Sequence, residues 1–153
     1  MEIHHVQSEA QLQQVRRLFE EYWNSFGFTP CFQNFGDELA GLPGEYTRPG
    51  GRLALALDDG DAAGCVALRR LDDTCCEAKR LYVRPGFRNR GIGRALLDWA
   101  IAEARAAGYQ EMLGDTMPVM DRALAMYDRM GFERAAPYLQ HPTEGAICIR
   151  LRL

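Results

Sequence analysis

The segment Arg88-Asn89-Arg90-Gly91-Ile92-Gly93-Arg94-Ala95 gathers three arginines and two glycines where a helical pattern begins. A helix start offers unpaired N–H groups and the positive end of the helix dipole, so it attracts anions. Gly91 and Gly93 let the backbone approach a phosphate without an intervening Cβ. Arg88, Arg90 and Arg94 place guanidinium forks around the same spot. The chemistry this predicts is phosphate or pyrophosphate binding. A dinucleotide fingerprint would want a small residue three positions after the second glycine, where this chain has Leu96. The segment also follows a run of strands instead of opening a βαβ unit. A nucleoside-triphosphate loop needs Gly-Lys-Ser/Thr, and the sole lysine, Lys79, lies elsewhere. Glycines that only tightened a turn would not need three arginines beside them.

Other reactive side chains form no comparable group. Cys31, Cys65, Cys75, Cys76 and Cys148 include no Cys-x-x-Cys pair and no zinc spacing with His. They read as reduced thiols of a cytoplasmic protein. His4 and His5 have no visible ligand partners, so no metal site is expected. Met117, Met120, Met126 and Met130 recur at helical spacing and read as core filler. A net charge of −3 argues against a nucleic-acid partner. No apolar run approaches the ~20 residues of a membrane span, and the N-terminus lacks the pattern of a secretion signal.

The elements that must position the Gly-rich loop follow from periodicity. Ile3 to Val6 reads as an edge strand. Ser8, with Glu9 and Gln11 behind it, is a helix-start signature, and Leu12, Val15, Leu18, Phe19 and Tyr22 carry that helix from about residue 9 to 25. Residues 28–51 are aromatic and broken by prolines, with room for a short helix at about 34–41. Strands are expected at 52–57, 63–69 and 75–83, joined by tight turns as an antiparallel meander. A helix runs over 92–107 to its stop at Gly108, and a strand over 109–115. A second helix opens at Pro118, carries Met120, Ala123, Leu124 and Tyr127 on one face, and closes at Gly131. Strands at 132–136 and 146–153 end the chain. The expectation is a single α/β (α+β) domain over residues 1–153. It would hold a mixed, mostly antiparallel sheet of about seven strands with helices on both faces.

The Leu81-Tyr82-Val83-Arg84-Pro85 run leads into Arg88-x-x-Gly91-x-Gly93. With the later Ala123-x-x-Met126-Tyr127-x-x-Met130-Gly131-Phe132, it resembles the paired motifs of the GNAT superfamily of N-acetyltransferases. The resemblance covers about Arg52 to Phe132 by motif and the N-terminal part by element order. It implies acetyl-CoA, or coenzyme A, as co-substrate, and direct transfer of an acetyl group to a primary amine in a ternary complex. The acceptor would be a small molecule or a peptide amine, and the resemblance leaves room for a homodimer. It implies that the backbone of Leu81, Tyr82 and Val83 lies beside the pantetheine amides. The N–H groups of Arg88, Asn89, Arg90, Gly91, Ile92, Gly93, Arg94 and Ala95 would hold the pyrophosphate. A splay between the 75–83 and 109–115 strands would open the acyl slot. Tyr127 falls where the family places its tyrosine beside the sulfur, as the acid for the leaving thiolate. Glu77 falls near the family's base glutamate. Strand alternation sets Glu77, Lys79 and Leu81 on one face, and the alternative for Glu77 is a solvent-facing carboxylate paired with Lys79 or Arg80. Met120 replaces the Asn that commonly holds pantetheine, a contact that Thr116 could replace. In the family fold, residues 28–46 and Tyr138 to Pro142 would border the acceptor. That makes Phe32, Gln33 and His141 candidates for its pocket, with Phe35 as a wall and Asp37, Glu38 and Glu45 as attractors of an ammonium. The competing function is a non-catalytic acyl-CoA-binding sensor.

Overall fold

The computed structural model of the chain describes residues 1–25, 35–117, 120–138 and 145–153. Seven strands form one sheet: β1 (Glu2–His5), β2 (Arg52–Asp58), β3 (Asp61–Arg70), β4 (Cys75–Val83), β5 (Glu111–Thr116), β6 (Glu133–Ala135) and β7 (Ile147–Arg152). Their spatial order is β1-β2-β3-β4-β5-β7-β6. All neighbours are antiparallel except β4 and β5, which run parallel. The helices are α1 (Glu9–Ser25), α2 (Phe35–Gly41), α3 (Ile92–Ala106) and α4 (Asp121–Arg129).

Local chemistry explains the element ends. At α1, Ser8 Oγ accepts from the Gln11 N–H at 3.2 Å, while Gln11 Oε1 accepts from the N–H groups of Gln7 and Ser8. This reciprocal cap supplies donors and acceptors that the helix start lacks. α4 starts at Asp121, three residues later than Pro118 suggests. Tyr109 is not in a strand, because its hydroxyl donates to the Gly50 carbonyl at 2.6 Å and pins the turn after α3 to the loop before β2.

The sheet is covered on both faces, as expected. On one face α1 and α2 bury Val15, Leu18, Phe19, Trp23 and Phe35 against Leu53, Leu55, Cys65, Ala67 and Tyr82. On the other, α3 packs Ile92, Leu96, Leu97 and Ala100 against Ala54, Val66, Leu68, Cys76 and Met112, and α4 adds Leu124, Met126 and Tyr127. Burial on both faces explains why Ala62 to Leu68 reads as a continuous apolar run instead of an alternating one.

β3 approaches β4 closely at Gly64. A Cβ there would stand 2.5 Å from the Tyr82 carbonyl oxygen and 3.2 Å from Leu96 Cδ1. Gly64→Ala is therefore expected to destabilise the fold by ~1–3 kcal/mol through overpacking. This would be read as a lower denaturant midpoint at unchanged slope. An unshifted midpoint would refute the close approach.

Candidate functional site

The parallel pair β4–β5 is joined only at Cys75↔Glu111, Cys76↔Met112 and Glu77↔Leu113. Beyond Glu77 the strands part. β4 continues to Val83 against β3, and β5 to Thr116 against β7. The edge of residues 78–83 that faces β5 therefore has no strand partner. A bulge sits inside this stretch. Cys65 pairs with Tyr82 but Ala67 pairs with Lys79, so β4 carries an extra residue, and Arg80 has φ of 58°. A left-handed conformation is costly for a residue with a Cβ and persists only when its surroundings impose it. Here the Arg80 side chain is buried. Its Nε and one Nη donate to the two Glu38 oxygens at 3.0 and 2.8 Å. Its guanidinium lies 4.6 Å from the Phe35 ring centroid and 5.9 Å from that of Trp23, which stack on each other. The bulge corrects the one-face expectation. Glu77, Lys79 and Tyr82 face α1 and α2, whereas Leu81 and Val83 turn to the α3 side.

A cavity of about 440 Å³ opens beside the free β4 edge. Leu81, Tyr82 and Val83 line it from β4, Arg88, Asn89 and Gly93 from the α3 start, and Met120, Ala123 and Met126 from α4, with Tyr22 and Ser25 from α1. α3 has no side-chain cap. Gly91 is its N-cap with φ of 79°, a conformation that glycine adopts without cost, so the first-turn N–H groups have no side-chain acceptor. The three arginines do not converge as their spacing suggests. Arg88 lines the cavity and donates to the Val83 carbonyl at 2.9 Å. Arg90 pairs with Asp58 at 3.0 Å, and Arg94 with Asp98 at 3.4 Å, both on the exposed surface. Ile92 buries its side chain in the core, leaving only its backbone for a ligand. Thr116 is buried and donates its hydroxyl to the Met120 sulfur at 3.3 Å.

Tyr127 is half-buried on α4, its ring 5.4 Å from that of Phe132. Burial, with smaller effects from Tyr22 and Asp115, pushes its phenol well above the ordinary value. Burial likewise pushes Tyr22 up to about 12.

On the α1/α2 face, Glu77 is completely buried. Its Oε1 accepts from Arg69 Nε at 2.5 Å and its Oε2 from the Tyr138 hydroxyl at 2.5 Å. It is thus not the solvent-facing carboxylate that was the alternative reading. Across the slot, β5 places Asp115 on this same face, two residues beyond the Glu77↔Leu113 pair. Asp115 makes no ion pair or side-chain hydrogen bond among the described residues. Burial, then the like charge of Glu77, raises its carboxyl above the ordinary value against the pull of Lys79 and Arg80. Burial, then Arg80, lowers the Lys79 ammonium.

Phe32, Gln33 and His141 lie outside the described residues. Phe35 closes the core against Trp23, and Glu38 and Glu45 are engaged by Arg80 and Arg69, so these do not wall or charge a free pocket. Sequence reasoning missed Tyr22, which read only as one more apolar residue on α1, and Asp115, which read as the last residue of a strand. Among the described residues no group of His, Cys, Asp and Glu is placed to hold a metal, and no helix is long and apolar enough to cross a membrane.

The family model for the acetyltransferase (GNAT) family matches residues 12–132. An N-acetyltransferase of Schizosaccharomyces pombe is 36% identical over 93% of this chain and 88% of its own length. Among solved structures, an acetyltransferase from Streptococcus agalactiae superposes with a TM-score of 0.85 at 21% identity, covering 99% of this chain and 98% of that one. An acetyltransferase from Salmonella typhimurium, solved with acetyl-CoA, gives a TM-score of 0.75 at 18% identity, covering 99% and 93%. At these identities the structures establish the shared fold.

The Arg80–Glu38 clamp yields a test. Glu38→Ala would strand a buried guanidinium, and losing one member of such a pair costs about 3–5 kcal/mol. The variant should unfold at a correspondingly lower denaturant concentration. A loss below ~1 kcal/mol would show that the bulge stands without the clamp.

Proposed function

The chain belongs to the acetyltransferase (GNAT) family and is an N-acetyltransferase, and from that premise we propose how its own residues carry acetyl from acetyl-CoA to a primary amine in a ternary complex. The observation that carries the reading is the parting of β4 from β5 beside a cavity bounded by an uncapped helix start. The unpartnered edge at 81–83 offers strand-like hydrogen bonds to the two amides of a pantetheine arm. The N–H groups of residues 89–94, with the Arg88 guanidinium, suit the pyrophosphate; contrary to the expectation for all eight residues, the N–H groups of Arg88 and Ala95 are already given to the Pro85 and Gly91 carbonyls. Met120 and Met126 supply apolar wall, Met120 at the position where other members often carry an amide side chain. The four described cysteines are free thiols, which fits a reducing, cytoplasmic setting.

An ammonium must lose two protons to become an amide nitrogen. Asp115 stands on the lip of the slot with no described partner, so we assign it the first proton, which it passes to solvent. Glu77 has both oxygens engaged and no exposed surface. We therefore read it as holding Arg69 and Tyr138 in place, instead of meeting the amine itself. The free amine attacks the thioester carbon, the C–N bond forms, the C–S bond breaks, and Tyr127 protonates the departing sulfur. The second proton of the nitrogen returns to Tyr127, so no phenolate accumulates. The raised phenol keeps Tyr127 protonated throughout the physiological range.

Thiol release from acetyl-CoA against a panel of amines tests the reading. Tyr127→Phe should lower kcat by about 10²–10⁴-fold, the usual worth of a positioned acid, with acetyl-CoA binding retained. Acetyl-CoA binding without release for any amine would mark a sensor instead of an enzyme. The pH profile tests the base. A raised Asp115 is protonated, and so inactive, below its own pKa. Activity should then climb with pH through a midpoint above that of an ordinary aspartate, and Asp115→Asn should remove this acid limb along with most of kcat. An acid limb that survived in Asp115→Asn but vanished in Glu77→Gln would return the role to Glu77.

A further inference from the structure

Among the described residues, the α1/α2 face of the slot leaves one ammonium, Lys79, without a hydrogen-bonded carboxylate and one carboxylate, Asp115, without an ion pair. Arg80 is bound by Glu38 through two hydrogen bonds. Arg69 is bound by Glu77 at 2.5 Å and more loosely by Glu45 at 3.4 Å. Lys79 has only Glu77 Oε1, at 3.8 Å, and that oxygen is the one Arg69 already holds. A separation of 3.8 Å is beyond hydrogen-bond reach. The Lys79 side chain is just 14% exposed. A desolvated ammonium without a hydrogen-bonding anion is costly, and the structure gives it none among the described residues. Lys79 is two residues past Glu77, the last residue of β4 paired to β5, and its cross-strand partner is Ala67, so it projects beside the slot on the face of Glu77. Asp115 occupies the opposite lip on the same face. Lys79 and Asp115 make no ion pair with each other.

We propose that the acceptor is a zwitterion of the α-amino-acid class, its carboxylate bound by Lys79 and its ammonium presented to Asp115 across the slot. The inference rests on the acetyltransferase reading above and narrows its substrate. Each end of an α-amino acid supplies the counter-charge that one lip lacks. A plain amine would satisfy Asp115 and leave Lys79 stranded. A carboxylate ligand makes Lys79 a specificity-determining residue that touches substrate.

The test compares the coded L-α-amino acids with amines that lack the carboxyl group: phenylalanine with 2-phenylethylamine, tryptophan with tryptamine, leucine with 3-methylbutylamine. Thiol release from acetyl-CoA should favour acid members by about tenfold or more in kcat/KM, the scale of one charge-assisted hydrogen bond. Lys79→Met should raise KM for the preferred acid by about tenfold with a smaller change in kcat, and Lys79→Arg should keep the preference. Because Lys79 is the only lysine of the sequence, selective ¹³C-lysine labelling gives a single side-chain Cε resonance. Adding the N-acetylated form of the preferred amino acid to the CoA-loaded protein should move its titration midpoint upward. Turnover of amines equal to or better than that of the acids, or a preference that survives Lys79→Met, overturns this inference and leaves the acetyltransferase reading standing. Thiol release with no member of either set, despite acetyl-CoA binding, overturns that reading and this inference with it.

Discussion

The guanidinium of Arg80 is the point on which the site depends. It is a buried cation on a residue held in a left-handed backbone conformation, bound by Glu38 of α2 and packed over Phe35 and Trp23. A bulge adds a residue to one strand and bends it. This one, at Arg80, falls three residues beyond the last β4–β5 pair, where the strands separate. The conformation is unfavourable on its own, so the ion pair and the aromatic stack are what make it the native one. Through them, the helices of one face set the shape of the opening in the sheet.

That opening sorts the chemistry by face. β4 after the bulge turns Leu81 and Val83 toward α3 and leaves Tyr82 on the α1 side, so the cavity gains an apolar strand edge and the donors of the α3 start. The other face collects charge: Arg69, Glu77, Lys79 and Asp115, with the Tyr138 hydroxyl. Low solvent exposure makes each pairing there count for more than it would on the surface. The result is a division between a carboxylate with both oxygens hydrogen-bonded, Glu77, and one with no side-chain hydrogen bond among the described residues, Asp115. Proton transfer suits the second. A carboxylate raised by burial is closer to the working pH and has a free oxygen to offer.

Much of this was readable along the chain because it is local. The helix at Ile92 follows from apolar periodicity. Its start falls at Gly91, which the structure shows as an N-cap with positive φ. The late Tyr127 motif, together with Leu81-Tyr82-Val83, identified the family. The misreadings at the site involve partners far apart in sequence. Arg90 was expected beside Arg88, but Asp58, thirty-two positions away, holds it on the surface. Leu81 was expected on the face of Glu77, and the bulge at Arg80 reverses it. Glu38 and Glu45 were expected to be open to an ammonium, and two arginines from neighbouring strands engage them.

Residue type and spacing by themselves determined the element order, the sheet with helices on both faces, the family, and the glycine at which the uncapped α3 helix starts. Each of these rests on hydrogen bonds and periodicity within a few residues. Only the tertiary structure decided which carboxylate is engaged and which has no ion pair among the described residues, which arginine reaches the cavity, and that Lys79 lies desolvated beside the slot without a hydrogen-bonded carboxylate among the described residues. Those outcomes depend on which charges meet when strands distant in the chain are laid side by side. Ion pairing and burial are properties of that meeting, and no residue carries them alone.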